Sequence, residues 1–325
     1  METIINMSRK MNFFGENKIP FIFIIDFELL KPIVLRLDEV KNDEICYDID
    51  GIKNFSITRK EMKNFKLRKK TISFFEFNKK IKEVKKEFIK GNSYLLNLTF
   101  KSEIEFYDEK VGLFDIFLHS KAKYKLYVKD SFVVFSPETF VKIENGIIKT
   151  YPMKGTISAK YGVAKLIKNK KELAEHITVV DLLRNDIGRL SKKVWVNKFR
   201  FVERIHTARG DLFATSSEIC GELSKDYNKR IGDIIFSLLP AGSVSGAPKP
   251  KTLDIIKNVE GENRGYYCGI FGYFDGEKLD SAVMIRFIEK ISDKFYYRSG
   301  CGITIYSNPV KEYFEMKDKI YVPVS

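Results

Sequence analysis

The chain has 325 residues, of which 44% are hydrophobic and 31% are charged, and its formal net charge at pH 7 is +14. This composition predicts a soluble globular protein with a large core. The sequence contains no apolar run long enough to cross a membrane and no N-terminal basic segment followed by an apolar one. We therefore expect a cytoplasmic protein without a membrane partner.

The cysteines are far apart and form no CxxC pair, which is typical of free thiols in a cytoplasmic protein; they are Cys46, Cys220, Cys268 and Cys301. No cysteine or histidine cluster has the spacing of zinc ligands, so a zinc site is not expected.

The positive charge permits nucleic-acid binding. Its densest run, residues 79–87, mixes lysines with glutamates and apolar residues at helical spacing, which is typical of a solvated helix face. We expect no nucleic-acid partner, and a basic nucleic-acid-binding protein is the alternative from another functional class.

In chain order, short strands and loops are predicted over residues 1–70, followed by an amphipathic helix over 75–90. Further helices are predicted at 168–188, 231–238, 248–259 and 309–319. Strands are predicted at 93–101, 124–135, 194–205 and 214–223, and strands alternate with turns over 266–306. Long strands mixed with helices, without strict βαβ alternation, indicate an α+β fold. No linker or repeat divides the sequence, so we predict a single domain over residues 1–325.

Lys154 follows a predicted β-hairpin. The hairpin turn is Asn145-Gly146, two residues that tolerate positive φ, and its second strand leads through Pro152 to Lys154, which Gly155 follows. A lysine at such a strand end is either an ordinary solvated charge or, when a buried site keeps it neutral, a nucleophile. The hairpin alone leaves both interpretations open.

Three glutamates are candidates for a metal site. Glu312 and Glu315 are three residues apart on the last predicted helix, so both project from one face, and Glu175 lies on the long helix over 168–188. Converging carboxylates would suit Mg²⁺, a hard cation that takes oxygen ligands. Taken alone, Glu312 and Glu315 fit better as an exposed acidic face paired with neighbouring lysines.

Two glycine-containing segments could approach a ligand through their backbone. The loop with Gly242 and Gly246 precedes a helix, where N–H groups can bind an anion, or it is only a tight connection. Gly300 and Gly302 lie in a predicted strand, where they permit close approach of a ligand or mark a bulge. Arg286 is predicted within a buried strand and needs a partner there, either a structural aspartate or a carboxylate ligand.

Taken together and in order, these segments resemble those of the chorismate-utilising enzymes. This family includes para-aminobenzoate (aminodeoxychorismate) synthase component I, anthranilate synthase component I, isochorismate synthase and salicylate synthase. Single segments are weakly specific, whereas the whole series in this order is highly specific. The matching segments are 94–99, 136–138, 152–156, 174–189, 240–249, 264–269, 285–286, 300–303 and 312–319.

The resemblance implies a fold. It is one chorismate-binding domain, with a shortened N-terminal part over residues 1–90 and a core over 91–325. Two large antiparallel β-sheets would pack face to face, with helices on their outer faces and the site between the sheets.

The resemblance also implies roles for individual residues. Glu175, Glu312 and Glu315 match the family's Mg²⁺ ligands, and Mg²⁺ is the implied cofactor. Arg286 matches the arginine that holds the enolpyruvyl carboxylate of chorismate, and Glu138 matches the general acid that protonates the departing ring hydroxyl. Further positions that match substrate-binding residues are Gly155, Thr156, Ser243, Gly246, Gly300, Gly302 and Lys319.

Within the family, Lys154 and Leu95 indicate the reaction. Anthranilate synthases usually carry alanine at the position of Lys154, whereas para-aminobenzoate synthases carry a lysine that resembles a covalent nucleophile. Isochorismate and salicylate synthases use a water-activating lysine at the position of Leu95, and leucine cannot take a proton. We therefore expect an aminodeoxychorismate synthase component I, which converts chorismate and ammonia to 4-amino-4-deoxychorismate through a covalent Lys154 intermediate in para-aminobenzoate and folate biosynthesis. Anthranilate synthase component I is the alternative.

The sequence departs from the family pattern at Ala214, where related enzymes often have histidine. Thr215 or Ser216 would replace the polar side chain. The Leu-Leu-Glu-Ser segment that relatives use to bind tryptophan is not found, so feedback inhibition by tryptophan is not expected. No cysteine lies in a glutaminase elbow, so ammonia is expected to come from a separate glutamine amidotransferase subunit.

Overall fold

The computed structural model describes residues 2–56, 63–205 and 211–324. The helices in these residues are α1 (Glu2–Glu16), α2 (Phe74–Ile89), α3 (Leu113–His119), α4 (Val163–Ile167), α5 (Lys170–Gly188), α6 (Ile231–Ser237), α7 (Lys249–Glu260) and α8 (Pro309–Asp318). None of the helices described is both long and apolar enough to span a bilayer.

The described strands form two nine-stranded sheets in which neighbouring strands are antiparallel. The first sheet has the order β11 (Met153–Ser158), β13 (Leu212–Glu222), β10 (Ile147–Thr150), β9 (Thr139–Glu144), β16 (Leu279–Val283), β15 (Ile270–Phe274), β1 (Phe21–Ile25) and β2 (Ile33–Arg36), with β12 (Lys193–Ile205) paired to β13. The second sheet has the order β14 (Gly246–Ala247), β6 (Leu95–Phe106), β18 (Lys294–Ile303), β17 (Phe287–Ile291), β8 (Phe132–Ser136), β7 (Tyr124–Val128), β3 (Ile45–Ile49) and β4 (Ile52–Lys53), with β5 (Leu67–Lys70) paired to β6. The prediction of an α+β fold with two large antiparallel sheets is confirmed.

Local sequence explains where α2 and α8 begin and where β9 turns into β10. In α2, Phe77, Ile81, Val84 and Phe88 are buried at helical spacing, and the side chain of Ser73 caps the first turn by accepting from the Glu76 amide. The α8 helix begins as predicted. The Asn308 side chain accepts hydrogen bonds from the Val310 and Lys311 amides, and Pro309 occupies the first helical position. The turn between β9 and β10 is also confirmed: Asn145 and Gly146 have φ values of +52° and +74°.

The prediction for residues 1–70 is wrong at its start, because residues 2–16 form α1 rather than strands and loops. Of the buried positions of this helix, Met11 and Phe14 are large and apolar, whereas Ser8 and Gly15 are small. The small residues let the helix pack closely against α6. A Cβ atom on Gly232 of α6 would lie 2.2 Å from the Ser8 carbonyl oxygen.

Two crossings between the sheets lie side by side. The chain passes from β8 to β9 through Glu138, and from β16 to β17 through Arg286. The Val283 amide donates to the Glu138 carbonyl at 3.1 Å, and the Phe135 amide donates to the Arg286 carbonyl at 3.0 Å. The two crossing segments that carry Glu138 and Arg286 are therefore hydrogen-bonded to each other at the junction of the two sheets.

Candidate active site

A cavity of about 1040 Å³ lies between α5 and the strand β11 on one side and α8 with the end of β18 on the other. Its size is at the upper end for small-molecule sites. Eight of the residues predicted for the site line it: Lys154, Gly155, Glu175, Arg286, Gly302, Glu312, Glu315 and Lys319. Leu95 lines it as well.

Lys154 projects from β11 toward the second sheet. A Cβ atom on Gly302 would lie 3.8 Å from the Lys154 amine, so the missing side chain of that glycine leaves the space in front of the amine. The Thr215 hydroxyl donates to the Lys154 carbonyl, which holds the lysine backbone against β13. The hairpin strand β10 ends at Thr150, and Lys154 is the second residue of a further strand, β11, which the sequence analysis did not predict.

Gly155 forms a bulge beside this lysine. The register of β11 against β13 shifts between Lys154 and Thr156, and Gly155 has a φ of +74°, which favours glycine. A Cβ atom here would lie 2.9 Å from a carboxylate oxygen of Glu172 and 3.2 Å from Leu166. The side chain of Thr156 lies outside what the structure describes.

Two pairs of carboxylates lie on opposite walls of the cavity. Glu312 and Glu315 come from α8, and Glu175 comes from α5 together with Glu172, which the sequence analysis missed. The signal for Glu172 was present, because it precedes Glu175 by the same three-residue spacing that separates the α8 pair. Among the residues described, no three acidic, histidine or cysteine side chains are close enough to form a ready metal-ligand group.

Arg286 and Lys319 form the cationic part of the wall. Arg286 is at the crossing between the sheets with a φ of +54°, not within a strand as predicted, because the chain must turn there from β16 into β17. Its guanidinium donates to the Lys319 carbonyl at 2.6 Å and lies 4.9 Å from the centre of the Tyr321 ring. The Lys319 amine donates to the Gly300 carbonyl at 2.8 Å and pairs with Glu315 at 2.9 Å.

Glu138 lies behind this cavity rather than in its lining. Its carboxyl is hydrogen-bonded to the Ser243 side chain and is within electrostatic range of Lys154 and Lys319. Burial raises the pKa of Glu138 above its usual value, while the serine and the two lysines oppose that rise. Glu138 and Ser243 line a separate, smaller cavity. A carboxyl in this setting can hold a proton and deliver it.

Gly246 and Gly300 do not line the cavity, and their missing side chains allow close packing within the second sheet. The missing side chain of Gly300 faces the Leu98 carbonyl and Thr99, both 3.0 Å from a Cβ atom placed there. Gly246 has a φ of +138°, and its Cβ would lie 2.0 Å from the Leu95 carbonyl oxygen, so only glycine lets β14 pair with β6.

Replacing Gly246 with alanine is expected to destabilise the protein by more than about 2 kcal/mol, because backbone strain and a backbone clash add. Gly261→Ala is the control: Gly261 has a φ of +73° but no heavy atom within 4 Å of a Cβ, so its cost is about 1 kcal/mol. Thermal unfolding of both variants checks this. Equal melting temperatures would show that the β14–β6 contact is looser than described.

The strand β13 does not place a histidine near the lysine. Ala214 is fully buried, the hydroxyl of Thr215 is used by the Lys154 carbonyl, and Ser216 is buried. A histidine does come from α5: His176, which sequence analysis did not single out, is fully buried and bonds through Nε2 to the Ser217 hydroxyl at 2.6 Å. Burial, Arg200 and Lys154 lower the pKa of His176 to about 4.

A cavity that combines a lysine amine, facing carboxylates and a fixed arginine is suited to a small anionic molecule and is the candidate active site. The chain belongs to the chorismate binding enzyme family, whose model matches residues 36–325. It is therefore a chorismate-utilising enzyme.

Three curated relatives illustrate this membership. An uncharacterized PabA-like protein of Haemophilus influenzae is 46% identical over 324 residues, which cover 99% of this chain and 98% of that protein. Anthranilate synthase component 1 of Acetivibrio thermocellus is 40% identical over 197 residues, covering 57% of this chain and 38% of that protein. Aminodeoxychorismate synthase component 1 of Bacillus subtilis is 29% identical over 259 residues, covering 75% and 54%. The chain thus matches only about half or less of these two synthases.

A solved structure has the same fold. The menaquinone-specific isochorismate synthase of Escherichia coli superposes with a TM-score of 0.75 at 16% identity, covering 97% of this chain and 80% of that one.

Proposed function

We propose that this protein is the synthase component of aminodeoxychorismate formation, converting chorismate and ammonia to 4-amino-4-deoxychorismate. The observation that carries the proposal is the position of the Lys154 amine. It faces the space left by Gly302, in a cavity that two carboxylate pairs and Arg286 also line. An amine in that position can attack a ring bound in front of it.

Chorismate carries two carboxylates, and the cavity offers a means of holding each. The planar guanidinium of Arg286, fixed by the Lys319 carbonyl, suits bidentate binding of one carboxylate. The carboxylate pairs on α5 and α8 suit Mg²⁺, which commonly binds one or two protein carboxylates and completes its shell with water and substrate oxygens. Its protein ligands would come from the α5 pair, Glu172 and Glu175, and from the α8 pair, Glu312 and Glu315. Bound there, Mg²⁺ would neutralise the ring carboxylate and polarise it as a Lewis acid.

The proposed reaction has two displacement steps. The Lys154 amine forms a bond to C2 of the ring, the double bonds shift, and the C4–oxygen bond breaks. Glu138 donates its proton to the departing oxygen, which leaves as water. Ammonia then forms a bond to C4, the double bonds shift back, the bond between C2 and Lys154 breaks, and the surplus proton of the new amine returns to the Glu138 carboxylate.

Leu95 supports amination over addition of water, because a leucine in the lining cannot activate a water molecule. Anthranilate synthase component I is the second candidate, and the observation that favours it is the 40% identity to that enzyme from Acetivibrio thermocellus. The two candidates differ in product, since anthranilate is aromatic and has lost the enolpyruvyl group.

The test is product identification by mass spectrometry after incubation with chorismate, ammonium and Mg²⁺ at mildly alkaline pH. The expected product is 4-amino-4-deoxychorismate, and the rate should collapse when a chelator removes Mg²⁺. Release of anthranilate would replace this proposal with the second candidate. Unchanged chorismate in the presence of Mg²⁺ would exclude both.

The metal part of the proposal has its own variant. Glu175→Gln is expected to raise the Mg²⁺ concentration for half-maximal rate by about 10-fold or more, because loss of one carboxylate weakens the site. Asp181→Asn is the control on the same helix, where the aspartate pairs with Arg184 on the surface. An unchanged Mg²⁺ requirement in Glu175→Gln would remove Glu175 from the metal site.

Ammonia in this proposal comes from a separate glutamine amidotransferase subunit. Glutamine should replace ammonium only when such a partner is added. Equal glutamine-dependent activity of the isolated chain would count against a partner.

A further inference from the structure

Arg200 links the strand β12 to the short helix α4. It has a φ of +51° at a place where the β12–β13 register is irregular, so its amide is turned out of the regular ladder. That amide donates to the Ser217 hydroxyl at 2.8 Å. The Arg200 guanidinium donates to the last carbonyls of α4, at 2.7 Å to Ile167 and 3.0 Å to Leu166. A cation at a helix C-terminus is favourable for both partners.

Ser217 of β13 joins Arg200 to α5 and to the segment just before β11, the strand that carries Lys154. Its side chain is fully buried, and its hydroxyl bonds to both the Arg200 amide and His176 Nε2. Its own amide donates to the Pro152 carbonyl at 3.1 Å, two residues before Lys154. This serine of β13 therefore connects β12 and α5 through its hydroxyl, and the residue before β11 through its backbone amide, in a buried position where hydrogen bonds are strong.

The elements joined in this way are those that surround the lysine. Leu166, at the end of α4, lies over Gly155, and so does the carboxylate of Glu172 from α5. His176 is the neighbour of Glu175 on α5, so anchoring its ring to Ser217 fixes the rotation of the helix that presents both α5 carboxylates to the cavity.

We propose that His176, Ser217 and Arg200 are positioning residues that hold the Lys154 strand and the α5 carboxylates in their reactive arrangement. The proposal rests on the role assigned to Lys154 above. None of the three residues is in the cavity lining, so each acts through the residues it holds.

The opposite wall gives the proposal a kinetic signature. Arg286 at the sheet crossing, Gly302 of β18 and Lys319, which follows α8, lie on the wall that this network does not touch. Loosening the network should therefore displace the reacting amine while Arg286 still binds one substrate carboxylate. Mg²⁺ is kept saturating, because the network also positions the α5 carboxylates.

The experiment compares steady-state kinetics of Ser217→Ala, Arg200→Ala and Arg200→Lys with the wild type. Misplacement of a reacting group by about 1 Å can cost on the order of 100-fold, so kcat should fall about 30-fold in the two alanine variants. At saturating Mg²⁺ the KM for chorismate should stay within about 3-fold of the wild-type value, because Arg286 still binds one substrate carboxylate. Arg200→Lys should recover part of the rate, since lysine can still donate to one α4 carbonyl. Asn197→Ala is the control: Asn197 makes a similar side-chain bond from β12 to Glu218, at 2.7 Å.

A second readout does not depend on the reaction. Acetylation of Lys154 by an N-hydroxysuccinimide ester, followed by peptide mass spectrometry, should be several-fold faster in Ser217→Ala than in the wild type or Asn197→Ala. If kcat and Lys154 acetylation both match the control, the positioning role is refuted. If the wild type forms no aminodeoxychorismate but the acetylation difference is present, the network stands as a restraint on Lys154 and the proposed reaction fails. A fall in kcat that equals the fall in Asn197→Ala would show only a general structural effect and would also overturn the proposal.

Discussion

Replacing Lys154 with alanine should abolish formation of 4-amino-4-deoxychorismate, lowering kcat on the order of 10⁴-fold or more, as removal of a covalent nucleophile does in other enzymes. The amine faces the open space in front of Gly302, and the variant leaves a cavity there with no group able to attack the ring. The measurement is the rate of product formation from chorismate and excess ammonium, with products identified by mass. Ammonium in excess ensures that the variant is not limited by ammonia supply.

The variant should remain folded. The strand at Lys154 is held through its backbone carbonyl by Thr215, a bond that alanine at position 154 preserves. The melting temperature should therefore change little. Lys160→Ala, an exposed lysine just after β11, is the matched control and should keep wild-type activity. Near-normal turnover in Lys154→Ala would refute the nucleophile, and formation of anthranilate by that variant would point to a non-covalent amination at C2.

Two element boundaries and one helix face could be predicted from local sequence. The hairpin at Asn145-Gly146 and the cap at Asn308 are governed by backbone preferences of a few neighbouring residues, so they gave the ends of β10 and α8. The spacing of Glu312 and Glu315 placed them on one helix face for the same reason.

Features that depend on tertiary geometry could not be predicted in this way. The bulges of β12 that turn the Arg200 amide toward Ser217 leave no mark in composition or period. His176 and Ser217 are 41 residues apart, and only the packing of α5 on β13 brings them together. Arg286 was placed in a strand because its neighbours are apolar, whereas the chain changes sheets there. The sheet crossings also bring together the segments that carry Glu138 and Arg286, which are far apart in sequence.

Glu138→Gln should lower kcat by about 10²–10⁴-fold, the usual contribution of a positioned general acid, because glutamine keeps the shape of the side chain but has no proton to deliver. Glu144→Gln is the control on the same strand region, since Glu144 is an exposed residue paired with Lys278. The KM for chorismate should change less than kcat, because Glu138 lies behind the cavity lining.

The pH dependence separates an acid from a structural carboxyl. Burial raises the pKa of Glu138, so the proton stays on to a higher pH than in an exposed glutamate, and the rate should fall as pH rises through that raised pKa. The residual rate of Glu138→Gln should lack this alkaline limb. Removing a cation that opposes the rise, as in Lys319→Met, should move the limb to higher pH. An unchanged limb in Glu138→Gln would assign it to another group.

The pH dependence of stability gives an independent check, because Glu138→Gln should lower activity without lowering stability at alkaline pH. A carboxyl whose pKa is raised on folding contributes stability that is present at low pH and lost as pH rises through the folded pKa, because the buried carboxylate is then disfavoured. Glutamine carries no charge at any pH, so Glu138→Gln should be at least as stable as the wild type above that pKa, while being far less active. A variant that is both less active and less stable at alkaline pH would mean that Glu138 is a structural residue, and the proton for the departing oxygen would then have to come from elsewhere in the cavity.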